Sequence, residues 1–163
     1  MAERSYLRDG RAPVPKDART SALMSRIRSK DTAPERALRR LLAVAGVRGY
    51  RLNHRNTPGR PDVTFVGRKV AVFVHGCFWH GCPHCQPPMP KTNSAWWRSK
   101  IGANKERDAR KTATLKALGW RVVELWECRL RKRPQVQVQR VLRALRASPA
   151  DGGRSASRNP RRT

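Results

Sequence analysis

The spacing of apolar residues predicts a folded region between about residues 20 and 147. The stretch DTAPERALRRLLAVAG carries its leucines at helical spacing, so it predicts a helix with one apolar face. Thr32 can cap this helix, Pro34 suits its first turn, and Gly46 can end it.

Apolar runs further along the chain predict strands and two more helices. VRGYRL predicts a short strand, and DVTFV and KVAVFVH (residues 62–66 and 69–75) predict a β-hairpin whose tight turn begins at Gly67. NSAWWRSKIGANKERDARKTATLKALG predicts a long helix, WRVVELWE a strand, and RPQVQVQRVLRALRA a final helix. The order α, β, β, β, α, β, α is typical of an α/β domain with a mixed sheet and helices on its faces.

The two ends of the chain differ in composition from the region between them. Residues 1–19 mix Arg, Pro, Asp and Gly without periodicity, which predicts a flexible N-terminal arm. Residues 148–163 form a basic low-complexity segment, which predicts a disordered tail. A length of 163 residues suits one domain, which we expect over residues 20–147.

The charge of the chain indicates its partner. Lys and Arg number 37 against 11 Asp and Glu, for a net charge of +26. Such an excess favours a polyanion, and nucleic acid is the first candidate; the alternative is that the charge serves solubility alone. No stretch has the apolar length of a membrane span, and MAERSYLRDG lacks a signal-peptide core, so we expect a cytoplasmic, nucleoid-associated protein.

The cysteines have the spacing of a metal site. Three of them follow one another as C-x4-C-x2-C, and the fourth follows the last predicted strand, so the sheet could bring it close. This pattern favours a closed structural zinc site, although a C-x-x-C redox pair is an alternative, and His80 or His84 could replace one sulfur. The four cysteines are Cys77, Cys82, Cys85 and Cys128.

A second group of residues indicates hydrolytic chemistry. Asp62 begins a predicted strand after a Pro-Gly turn, and hairpin pairing would bring it near residue 73 with His75 close by. With His80, this set suits Mg²⁺-assisted phosphodiester hydrolysis; alternatively, Asp62 caps the turn. Glu35 completes the capping box Thr32-x-x-Glu35 but could also reach a metal ion through water.

Large aromatic residues lie within and just after the cysteine segment. Phe78 and Trp79 stand between a cysteine and a histidine, where a core position is awkward. Rigid exposed aromatics on a basic protein can stack on bases or wedge between base pairs. The alternative is that they pack around the loop that the metal site closes.

Four ordered blocks resemble a known family. PGRPDVTF, VFVHGCFWHGCPHC, WWRSKIGANKERD and LGWRVVELWEC are similar to the very short patch repair (Vsr) DNA mismatch endonucleases, over about residues 21–131. The resemblance implies a restriction-endonuclease-like α/β core related to the PD-(D/E)xK nucleases. It also implies an enzyme that nicks double-stranded DNA 5′ of the thymine in T:G mispairs arising from 5-methylcytosine deamination.

The resemblance implies roles for individual residues. Asp62 and the carbonyl of Val74 would bind a catalytic Mg²⁺, while His80 would be the catalytic histidine, assisted by His75 and Glu35. The residues expected to intercalate or wedge into DNA are Phe78, Trp79, Trp97 and Met24. The expected ligands of the structural Zn²⁺ are Cys77, Cys82, Cys85 and Cys128.

Two other functions stay open on the sequence. A non-catalytic zinc-containing DNA-binding module would explain the charge, the cysteines and the aromatics, but not the convergence of Asp62, His75 and His80. A nuclease of the same fold that cuts matched DNA would explain all of them. For the endonuclease we expect a monomer on DNA with a T:G mismatch, and contacts with other repair proteins remain open.

Overall fold

A mixed sheet of four strands lies at the centre of the protein in a computed structural model that describes residues 7–8, 12–13, 18, 22 and 30–147. The strands are, in spatial order, β3 (Arg51–Leu52), β4 (Val63–Phe65), β5 (Val70–His75) and β6 (Arg121–Trp126). β4 runs antiparallel to both β3 and β5, whereas β5 and β6 are parallel. Two further strands, β1 (Leu7–Arg8) and β2 (Ala12–Pro13), pair with each other.

Four helices accompany the sheet in the described part of the chain. They are α1 (Ala33–Val44), α2 (Ser94–Ala117), α3 (Glu127–Lys132) and α4 (Pro134–Arg146). The three predicted helices are confirmed, and α3 is an addition that sequence periodicity missed because a six-residue helix spans less than two turns. No helix among these residues combines the length and the apolar character that crossing a membrane requires.

β5 is apolar from Val70 to Val74 because helices cover both faces of the sheet. Val70 and Val72 belong to the main core cluster, together with α1 residues Leu38 and Leu42. Ala71 and Phe73, which alternate with these valines, point to the opposite face, where a second cluster includes Leu115 of α2. This three-layer arrangement confirms the predicted α/β class and the mixed sheet flanked by helices.

The connection between β4 and β5 differs from the predicted two-residue turn. Residues 66–68 form a single 3₁₀ turn, and Lys69 adopts the left-handed conformation with φ of 48°. The observed turn therefore has its left-handed residue at Lys69 and not at Gly67. Lys69 is held instead by its contacts, because its carbonyl accepts the Arg121 N–H at 2.8 Å and its ammonium donates to the Leu118 carbonyl at 3.3 Å.

The strand register determines which groups meet at the end of the sheet. Val63 pairs with Val72, so Asp62 falls opposite Phe73, as the hairpin predicted. On the other side of β5, His75 pairs with Trp126, and α3 follows directly, so Cys128 is carried back towards Cys77. The predicted strand over residues 47–52 is confirmed only at Arg51–Leu52.

Candidate active site and metal centre

An open cleft of about 1380 Å³ lies where β5 ends, between the first turn of α1 and the middle of α2. The residues that sequence and resemblance assigned to catalysis or Mg²⁺ line it together. They are Glu35, Asp62, Val74, His75 and His80. Two residues of α2 without a predicted role, Asp108 and Lys111, line the same cleft.

Asp62 is a carboxylate largely removed from water. Its Oδ2 accepts the backbone N–H of Val74 at 2.7 Å. Burial raises the pKa of Asp62 from 3.8 to about 6; the hydrogen bond from Val74 opposes this rise, and the charge of Glu35 adds to it. A buried carboxylate beside a second carboxylate suits a divalent cation, so the donor chemistry of this corner fits Mg²⁺.

Glu35 is engaged at the start of α1. It is buried, with one carboxylate oxygen accepting the Asp31 N–H at 3.0 Å and the other accepting the Thr32 hydroxyl at 2.8 Å. The Thr32 side chain caps no backbone N–H of the helix, so the predicted capping box is altered: Glu35 accepts the backbone N–H of Asp31 and the hydroxyl of Thr32 instead of the backbone N–H of Thr32. The cap interpretation is therefore supported, and the same side chain lines the cleft beside Asp62.

His80 is paired with a carboxylate that the sequence analysis left without a role. Its Nδ1 lies 2.5 Å from Oδ2 of Asp108. Burial tends to raise the pKa of Asp108, but the hydrogen bond and charge of His80 outweigh it, and the pKa lies below its usual value. An ionised Asp108 accepts the proton on Nδ1, which leaves Nε2 of His80 free to accept a proton from water.

His75 is buried and is held neutral. Its ring lies 4.6 Å from the His80 ring and 5.0 Å from the Trp126 ring, measured between centroids. Burial lowers the pKa of His75, and the proximity of His80 lowers it further. His75 therefore packs against the imidazole of His80 as an uncharged ring.

α2 presents a polar face to the cleft that helical spacing could have revealed. Asn104, Asp108 and Lys111 follow at intervals of four and three residues, which places them on one side of the helix. Asn104 is buried and donates from Nδ2 to the carbonyl of Trp79 at 2.8 Å. This hydrogen bond fixes the loop that carries His80 against α2.

The four cysteine sulfurs form one cluster, all lying within 4.8 Å of one another. The Sγ atoms of Cys82 and Cys128 are 3.7 Å apart, close to the ~3.8 Å edge of a tetrahedron with zinc–sulfur bonds of about 2.3 Å. The N–H of Cys128 donates to Cys77 Sγ at 3.3 Å, and that of His84 donates to Cys82 Sγ at 3.4 Å. The donor set therefore fits a tetrahedral metal ion with thiolate ligands.

Neither histidine near this cluster contributes to it among the described residues. His80 groups with His75 and Asp108 instead. The ring of His84 faces away to Arg129, whose Nη2 lies 3.3 Å from Nδ1 of His84. The alternative in which a histidine replaces one sulfur therefore has no support in this geometry.

The predicted DNA-contacting aromatics among the described residues form a cluster that reaches the cleft through Trp79. Phe78 and Trp79 pack edge to face at 5.4 Å, and Trp97 lies 5.0 Å and 5.6 Å from them, between ring centroids. Trp97 is buried under its neighbours, and Trp96, which the sequence analysis did not assign, packs on it at 4.7 Å. Met24 lies outside the described residues.

Comparison with known proteins gives a consistent result. The family model described as DNA mismatch endonuclease Vsr matches residues 13–86. The chain is 48% identical over 108 residues to the Type II nicking enzyme V.XorIIP of Xanthomonas oryzae, covering 66% of this chain and 79% of that relative. It is 41% identical over 126 residues to the DNA mismatch endonuclease Vsr of Escherichia coli, covering 77% and 80%.

One solved structure with a similar fold is the catalytic domain of the homing endonuclease I-Bth0305I. The TM-score is 0.47 at 21% sequence identity, and the match covers 70% of this chain and 94% of that domain.

The raised pKa of Asp62 predicts that its charge destabilises the protein when no Mg²⁺ is bound. Between pH 4 and pH 6 the unfolded chain releases a proton that the folded carboxyl retains, so stability falls as pH rises through this window. The two pKa values, 3.8 and about 6, correspond to at most about 3 kcal/mol at pH 7. Asp62→Asn, which keeps an acceptor for Val74, should therefore raise the free energy of unfolding in Mg²⁺-free buffer at pH 7.

Urea denaturation of both proteins at pH 4 and pH 7 measures this difference. We expect the variant and the wild type to be equally stable at pH 4 and to diverge at pH 7. Parallel pH dependence in the two proteins would contradict a destabilising effect of burying the Asp62 charge.

Proposed function

Because this chain belongs to the Vsr family of DNA mismatch endonucleases, we propose that it nicks double-stranded DNA 5′ of the thymine in T:G mispairs and so initiates very short patch repair. One observation carries this proposal: the buried carboxylate of Asp62, the His80–Asp108 pair and an aromatic cluster meet at one cleft of a protein with net charge +26. A protein that only bound DNA through its charge would not need Asp62, His80 and Asp108 grouped in one cleft.

The carboxylate corner binds the metal ion in this proposal. A Mg²⁺ bound there supplies a Lewis acid that neutralises charge on the scissile phosphate. Asp62 and the carbonyl of Val74 are the protein ligands, with Glu35 close enough to act through water. The N–H of Val74 donates to Oδ2 of Asp62, which orients the carboxylate before any ion binds.

The His80–Asp108 pair transfers the proton in this proposal. His80 accepts a proton from water at Nε2 while the water oxygen attacks phosphorus; the bond from phosphorus to the ester oxygen breaks, and that oxygen takes up a proton from solvent water. Asp108 orients the ring through Nδ1 and stabilises the imidazolium that forms. The neutral His75 adds no competing positive charge beside His80.

The basic surface and the aromatic cluster select the substrate. Lys and Arg side chains attract the DNA backbone without regard to sequence. Phe78 and Trp79 wedge into the base stack over the buried Trp97, with Met24 entering from the other groove. Separating stacked pairs costs less at a mispair, so the T:G site is favoured over matched DNA.

Zn²⁺ in the cysteine cluster is structural in this proposal. With four sulfur ligands the ion has no open position for water or substrate, so it takes no part in hydrolysis. It ties the loop of Cys77 to α3, and Glu127 of α3 reinforces this tie because its Oε2 accepts the N–H of Cys77 at 3.2 Å. The loop held in this way carries Phe78, Trp79 and His80. We propose that the enzyme acts as a monomer in the cytoplasm.

A nicking assay tests the proposed activity. Wild type with Mg²⁺ should cut one strand of a labelled T:G duplex and leave the matched duplex largely intact. Asp62→Ala should lower the single-turnover rate by about 10³-fold or more, because a ligand of the catalytic ion is lost. Denaturing electrophoresis of end-labelled strands measures both the rate and the cut position.

Three other outcomes are informative. Binding to the duplexes without nicking would favour the non-catalytic DNA-binding module, and equal nicking of matched and mismatched duplexes would favour the nuclease for matched DNA. Unchanged nicking by Asp62→Ala would refute the metal role of Asp62. Glu106→Ala, which removes an exposed carboxylate of α2, is the matched control and should leave the rate unchanged.

The zinc site gives an independent prediction. Elemental analysis of purified protein should find about one equivalent of zinc. Burial raises the pKa of the Cys77 and Cys128 thiols, so a cation is needed to hold them as thiolates at neutral pH. Cys128→Ser should lower the zinc content and the melting temperature together, because metal binding and folding are coupled.

Melting curves with and without a strong chelator provide the comparison. Chelation should lower the melting temperature of wild type and leave the variant nearly unaffected. A metal-free wild type that is as stable as the holoprotein would refute the site.

A further inference from the structure

Lys111 projects from α2 into the cleft beside the proton-transfer pair. Its Nζ lies 3.9 Å from Oδ1 of Asp108, while the other oxygen of Asp108 is bonded to His80. The side chain is 32% exposed, although it belongs to a long surface helix on which lysines can extend freely into water. Its position is therefore set by what surrounds its stem.

The stem of Lys111 is enclosed by a glycine and an aromatic ring. A Cβ built on Gly59 would come within 3.0 Å of Cβ and Cγ of Lys111, and Gly59 has a φ of +75°. Only glycine suits both this conformation and this close approach. On the other side, Nζ lies 5.9 Å from the centroid of the Phe73 ring. The turn that precedes Asp62 thus leaves room for Lys111 and directs its ammonium into the cleft.

A fixed cation at this point works against a second bound metal ion. His75, His80 and Asp108 offer three ligand atoms within 4.8 Å of one another, a spacing that could hold a metal. The ammonium of Lys111 already neutralises the carboxylate of that group, and the short His80–Asp108 contact occupies both partners. The ammonium also lines the cleft, so a negative charge on the substrate is a second partner for it besides Asp108.

We propose that the ammonium of Lys111 binds the phosphate of the scissile bond and stabilises the charge that develops on it during hydrolysis. Lys111 reaches the phosphate from beside His80 and Asp108 and contributes a positive charge, whereas Asp62 contributes a carboxylate that binds the metal ion. This inference rests on the proposed function, since it assigns a residue to the same reaction. A purely structural Lys111 would instead cover Phe73 and pair with Asp108.

Single-turnover nicking of the T:G duplex tests the charge separately from the packing. Lys111→Met keeps an unbranched stem against Gly59 and Phe73 but removes the ammonium. The rate should fall about 10- to 100-fold, less than for an enclosed oxyanion donor because Lys111 is 32% exposed. Lys111→Arg restores a cation and should recover part of the loss. Lys116→Met, on the exposed side of the same helix, should nick at the wild-type rate.

Binding without Mg²⁺ tests the phosphate contact directly. Fluorescence anisotropy in Mg²⁺-free buffer compares the T:G duplex with one that carries a single neutral methylphosphonate at the scissile position. The neutral linkage should weaken wild-type and Lys116→Met binding by about threefold, the size of a partly exposed ion pair. Binding by Lys111→Met should be nearly unaffected by the neutral linkage.

The outcomes separate this inference from the proposed function. Nicking by Lys111→Met at the wild-type rate, or equal sensitivity of Lys111→Met and wild type to the neutral linkage, would overturn the role of Lys111 alone. Failure of wild type to nick the T:G duplex would overturn the proposed function and this inference with it. Equal melting temperatures of Lys111→Met and wild type would exclude misfolding as the cause of a lower rate.

Discussion

Val63 pairs with Val72 across the antiparallel ladder of β4 and β5, and this register carries Asp62 to the N–H of Val74. Because side chains alternate along a strand, the same register turns His75 towards α2 and its neighbour Val74 towards the main core. A slip of one residue would separate the carboxylate from the backbone group that orients it and would reverse both faces of β5. The geometry of the candidate site therefore depends on packing that is largely apolar.

The candidate active site buries charged and polar groups that burial in water-excluded surroundings would by itself destabilise. Burial raises the pKa of Asp62 and lowers that of His75, so it disfavours the charged form of both side chains. The surrounding structure retains them because β5 is anchored on both sides by helices and the cysteine cluster fixes the loop that follows it. This combination of a rigid frame and perturbed titratable groups is typical of catalytic sites.

The sequence predicted the parts of this site that depend on local rules. Hairpin pairing put Asp62 opposite residue 73 even though the predicted turn type was wrong. The observed connection, residues 66–69, is centred on the same two residues as the predicted turn, so the register is the same. Asp108 and Lys111 were not assigned, since helical spacing shows that they share a face but not which way α2 is rotated on the sheet. That rotation is set by the contacts of Trp97, Ile101 and Leu115, which are tertiary. The resemblance to a family identified His80, and the structure added the carboxylate that orients it.

The most direct test of the account is a double-mutant comparison of His80 and Asp108. Single-turnover rates on a T:G duplex are measured for His80→Ala, Asp108→Ala and the double variant. If the two side chains transfer the proton as one unit, the double variant should be no slower than the slower single variant, because Asp108 acts only through His80. If the losses multiply, the two residues act independently, and the central claim that they form one acid–base pair is wrong.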